Sequence, residues 1–84
     1  MYSGQARYKL PAELDKLLTS QMELAIDEAN LGQLNRQIAR RYLLDHAAQI
    51  EIAAEVGYDR SVISRRLKDI TPRVMYAASK LPPS

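Results

Sequence analysis

The sequence predicts an all-α fold, a small domain of five helices containing a helix-turn-helix. Three observations predict it. Apolar residues recur at helical spacing and nowhere alternate as a half-buried strand requires. The three glycines and four prolines stand only where helices can begin or end. One stretch, IAAEVGYDRSVISRRLKDI at residues 52–70, sets a small residue, a glycine and an aliphatic residue at Ala53, Gly57 and Ile63. That spacing suits two short helices crossing at a tight turn.

Eighty-four residues suit a single domain with one core. The chain has no cysteine, so a disulfide framework and a thiolate metal site are both excluded. No segment approaches the roughly 18 apolar residues of a membrane span, and the polar start MYSGQARYK does not read as a signal peptide. The expectation is a cytoplasmic, nucleoid-associated protein without a cofactor. Charge is unevenly spread. Residues 1–30 carry three basic and five acidic side chains, whereas residues 31–84 carry nine and five. From Arg60 to Arg73 there are five cations and one acid, Asp69. A polyanion partner for the C-terminal half follows from that asymmetry.

Residues 1–10 read as a flexible arm; Tyr2, Arg7, Tyr8 and Lys9 are alternatively a DNA-contacting arm. An acidic amphipathic helix is expected over 12–30, with Pro11 suited to its first turn. Leu14, Leu17, Leu18, Met22, Ala25, Ile26 and Ala29 follow helical spacing, the stripe Leu14, Leu18, Met22, Ala25 and Ile26 is either core or a dimer seam, and Asn30 with Gly32 ends the helix. A helix over 33–46 turns Leu34, Ile38, Tyr42 and Leu43 or Leu44 inward. Tyr42 and Tyr58 are read as core-edge residues, and His46 as flanking a helix end.

The helix-turn-helix spans 49–69. Its first helix buries Ile52, Ala53 and Val56. Gly57 takes a positive φ and turns the chain, and Asp59 caps the second helix. Thr71-Pro72 is expected to break that helix, since the residue before proline avoids the α region. A separate short helix, 72–80, then carries Val74, Met75 and Ala78, and LPPS is a frayed end.

Ala53 must be small where the helices cross, Gly57 makes the turn, and Ile63 plugs the angle between them. At about 100° per residue, Ile63, Leu67 and Ile70 form one buried stripe. Ser61, Arg65 and Lys68 lie opposite, with Ser64 beside them. An α-helix fits the major groove of B-DNA, and arginine bonds guanine O6 and N7 bidentately. Arg65 is therefore the leading base reader, followed by Ser61, Ser64 and Lys68. Arg60, Arg66 and Arg73 are expected on phosphates, with Gln49 bonding a phosphate at the start of the first helix.

Residues 55–74, EVGYDRSVISRRLKDITPRV, resemble the helix-turn-helix of the CII family of phage transcription activators. The shared features are the Val-Gly turn, Asp59 followed by a cation, Ser61, Ile63-Ser64-Arg65, Asp69, and Pro72 followed by Arg73. Residues 40–74 are also similar to region-4 helix-turn-helix domains of sigma factors, notably in IAAEVGYDRSVISRRLK. The resemblance implies that residues 59–68 form a recognition helix in a protein acting as an oligomer on repeated half-sites beside a promoter.

The expected function is a transcription regulator of bacterial or phage type that binds double-stranded DNA as a homodimer or higher oligomer, with RNA polymerase as a further possible partner. An alternative is a protein-interaction module on the same fold, such as an antitoxin or a polymerase- or sigma-binding adaptor. A weaker third reading is an accessory protein of plasmid partition or recombination. No enzymatic or metal-binding role is expected: a lone histidine, His46, has no partners at catalytic or ligating spacing.

Overall fold

The computed structural model describes residues 19–81. The arm 1–10, the first part of the 12–30 helix with Leu14, Leu17 and Leu18, and the tail after Leu81 lie outside the described residues. Within them the protein is all-α, with four α-helices and no strand. They are α1 (Thr19–Glu28), α2 (Gln33–Ala39), α3 (Gln49–Val56) and α4 (Arg60–Ser79); a π-helical turn, Arg40–Leu44, continues α2.

Met22, Ala25 and Ile26 of α1 are buried, so this part of the stripe is core. Asn30 at φ 53° and Gly32 at φ 88° reverse the chain after α1. The helix expected over 33–46 changes character at Arg40. Ile38 and Leu43 are both buried although five residues apart. An α-turn splays that pair, whereas an i→i+5 turn aligns it on one face. His46, at φ 57°, ends the segment.

Gly57 stands at φ 81°, and its N–H and that of Tyr58 both donate to the Ala53 carbonyl. A Cβ at position 57 would meet no atom within 4 Å, so the backbone angle alone selects glycine there. Ala53 of α3 is buried and Ile63 of α4 fully buried, both in the one hydrophobic core.

The expected break at Thr71-Pro72 does not occur, and the two predicted helices, 60–69 and 72–80, are one. Burial explains the correction. Ile63, Leu67, Ile70, Thr71, Val74 and Ala77 form one unbroken buried stripe that crosses Pro72. The most extensive helix contact of the fold is between this helix and α1. An interior proline costs about 3 kcal/mol. Burying Val74 alone returns about 1.5–3 kcal/mol, and Ala77, Met75, Ala78 and Leu81 add to it. Pro72 and Lys68 are both exposed, on the side of the helix where the proline deprives the Lys68 carbonyl of its N–H partner.

Candidate nucleic-acid interface

The N-terminal half of α4 presents two unlike faces. Ile63, Leu67 and Ile70 are fully buried, while Ser61, Arg65 and Lys68 are exposed and Ser64 is half-buried. Arg60, at the first turn, is also exposed. Among the described residues, Arg60, Arg65 and Lys68 make no ion pair and no side-chain hydrogen bond. Those three positive charges therefore face solvent uncompensated. Arg73, farther along the helix, lies 3.6 Å from Asp69, so its charge is partly offset.

Asp59 sits at the N-cap of α4 with extended backbone, but its carboxylate makes no capping bond. Its carbonyl accepts the N–H groups of Val62 and Ile63 instead. The expectation of a side-chain cap is corrected accordingly: the Asp59 side chain is turned outward and is exposed.

Two of the expected phosphate ligands are placed differently. Gln49 is only 8% exposed and its Oε1 is buried without a partner, so its side chain is enclosed rather than presented outward. It lines a cavity of about 400 Å³ with Tyr42, His46 and Arg60. Arg66 is also turned inward. Its Nη1 donates to Asn35 Oδ1 of α2 at 2.9 Å, and its guanidinium carbon lies 5.8 Å from the centre of the Tyr58 ring. Tyr58 is thus half-exposed and holds a cation rather than sealing the core edge.

An ion cluster braces α3 from behind. Arg41, on the π turn, donates from Nε to Glu55 Oε1 at 2.7 Å and from Nη1 to Asp45 Oδ2 at 3.0 Å. Its Nη2 reaches Glu55 Oε2, completing a two-pronged pair. These hydrogen bonds hold the Glu55 carboxylate below its ordinary pKa and raise that of the Arg41 guanidinium. On the other side, Arg36 meets Asp27 at 2.7 Å and Arg40 meets Glu23 at 3.5 Å, joining α2 and the π turn to acidic α1. The cations of the middle of the chain are spent on this frame, and of those on α4 only Arg60, Arg65 and Lys68 make neither an ion pair, a side-chain hydrogen bond nor a ring contact among the described residues.

Three apolar residues are exposed without having been expected at the surface: Ile50 on α3, Leu24 on α1 and Tyr76 on α4, the last 65% exposed. A signal existed for Ile50, which falls off the Ile52–Ala53–Val56 stripe. The same holds for Tyr76, which falls off the Val74, Met75 and Ala78 side of the helix expected over 72–80.

Among the described residues no cluster of His, Asp or Glu is placed to hold a metal ion, and no helix is long and apolar enough to cross a membrane. No protein-family model, curated protein or solved structure matches the chain.

Proposed function

We propose that α3 and α4, joined at Gly57, are a helix-turn-helix, and that the protein is a duplex-DNA-binding transcription regulator of bacterial or phage type. The observation that carries this reading is the outer face of α4. Arg65 and Lys68 are exposed and unpaired there, opposite a fully buried stripe, and Arg60 is exposed and unpaired on the flank. Arg65 reads guanine in the major groove, aided by Ser61, Ser64 and Lys68, while Arg60 contacts a phosphate. Gln49 contributes through the backbone N–H groups that open α3 rather than through its enclosed side chain. The protein acts as a homodimer in the nucleoid, since one helix of base contacts gives modest affinity and two half-sites multiply it.

Selection of bound genomic fragments at near-physiological salt, with Arg65→Ala in parallel, tests the reading. A motif enriched by the parent and lost with the variant is expected. Arg65→Ala binding its best site as tightly as the parent would sink the base-reading role.

A second reading has its own observation. Leu24 is half-exposed on acidic α1, near Asp27 and Glu28, a surface suited to a basic protein such as an RNA polymerase subunit. Binding to random DNA separates the two: a steep fall with salt supports DNA reading, and a slope near zero supports the protein-docking alternative.

A further inference from the structure

Beyond the reading face, the C-terminal half of α4 and the end of α1 enclose an open apolar groove of about 720 Å³. Ala29, Pro72, Tyr76, Ala77 and Leu81 line it. Tyr76 stands out from it as the ridge, with the Lys80 ammonium 4.6 Å from the centre of its ring. The groove has charged walls of opposite sign: Glu28 on α1, Arg73 and Lys80 on α4. Among the described residues no ion pair spans it. Glu28 makes no ion pair at all among the described residues, and Arg73 turns to Asp69 on its own helix.

We propose that a second copy of this chain occupies the groove, in a two-fold dimer with the C-terminal half of α4 at its centre. A two-fold axis makes every contact reciprocal. Tyr76 of each copy then packs into the other's groove, and Glu28 faces the partner subunit's Arg73 and Lys80, twice over. Acid on one wall and base on the other is the arrangement that such an axis satisfies, whereas a single-signed groove would repel its own copy. An exposed tyrosine ringed by charge is also the composition of an interface core and rim.

The geometry agrees with the DNA-reading proposal, on which only the spacing argument rests. Tyr76 follows Arg65 by about 16 Å of helix at 1.5 Å per residue. Two copies meeting end to end at Tyr76 place their Arg65 side chains up to about 33 Å apart, close to one turn of the duplex. One helix thus serves both tasks, reading with its first half and pairing with its second.

Sedimentation equilibrium without DNA tests the interface separately from DNA reading. Three proteins are compared: the parent, Glu28→Lys, and the double variant Arg73→Glu/Lys80→Glu. All three positions are exposed, and far-UV circular dichroism checks that each variant folds. The parent is expected to dimerise. Each variant sets like charges across the axis and should weaken self-association at least about tenfold. An equimolar mixture of the two variants should regain the dimer as a one-to-one heterodimer, because each then offers the charge that the other lacks. A monomeric parent at every concentration reached overturns the proposal and leaves the groove to another occupant. So do variants that dimerise as the parent does, or a mixture that stays monomeric. A dimer that forms but enriches no DNA motif leaves the interface standing and removes the DNA reading.

Discussion

Arg66 of α4 donates to Asn35 Oδ1 of α2 at 2.9 Å, with its guanidinium beside the Tyr58 ring. One side chain therefore ties α2, the turn and α4 together, on the flank where a phosphate ligand was expected. A hydrogen bond from a charged group contributes about 1.5–3 kcal/mol. Arg66→Ala should accordingly destabilise the fold by about 2 kcal/mol in urea unfolding. Asn35→Ala in the same background should add little, because the two residues share one bond. Full additivity of the two losses would refute the coupling.

Arg65 and Arg66 are neighbours in sequence with opposite surroundings, the first exposed and the second bonded inward. Arg65→Ala removes an exposed, unpaired cation and should leave urea stability within about 0.5 kcal/mol of the parent. DNA binding should fall by about 1–3 kcal/mol with relaxed sequence preference. Arg66→Ala should show the reverse, a stability loss with little change in specificity among molecules still folded. Fluorescence anisotropy on the selected site, alongside urea titration, distinguishes them.

Pro72 is exposed in the interior of α4, where it deprives the Lys68 carbonyl of its N–H partner. Pro72→Ala restores that bond without disturbing a buried contact. The variant should be more stable by about 2 kcal/mol, somewhat less than the full helix-interior penalty because alanine also loosens the unfolded chain. An unchanged or lower midpoint in urea would show that the proline ring contributes to packing.

At Gly57 the constraint is the left-handed backbone, with free space around the missing Cβ. Gly57→Ala should cost about 1–2 kcal/mol. Gly57→Asn should cost less, since asparagine visits that region more readily. Equal losses would mean that something other than φ selects glycine.

Arg41 keeps Glu55 ionised below the ordinary carboxylate range, so the folded state binds that proton less readily than the unfolded chain does. The contribution is present at neutral pH and is lost as pH falls through the ordinary carboxylate pKa toward the lower folded one. Glu55→Gln should therefore lower the melting temperature at neutral pH and merge with the parent in acid. Glu55 is exposed and Arg41 only half-buried, so the effect is modest and shrinks with salt. A gap between the two proteins that widens in acid would contradict this assignment.

Much of this was legible in the residues alone. The helical period of Met22, Ala25 and Ile26, the small residue at Ala53, the turn at Gly57, and the stripe of Ile63, Leu67 and Ile70 opposite Arg65 all follow from local geometry. Local geometry is a property of spacing, and spacing is printed in the chain. What stayed illegible depended on partners distant in sequence. Arg66 turns inward because Asn35 waits for it across α2. Helix α4 passes through Pro72 because α1 offers an apolar wall on which Val74 and Ala77 gain more than the proline takes away. Gln49 is enclosed because the π turn folds back beside it. Residue spacing alone dictates an all-α chain with a cationic, hydroxylated helix face. Packing between distant segments sets which cations remain free, and opens a groove with oppositely charged walls at the far end of the same helix. A charge's role depends on what lies within a few ångströms of it, and packing alone sets that distance.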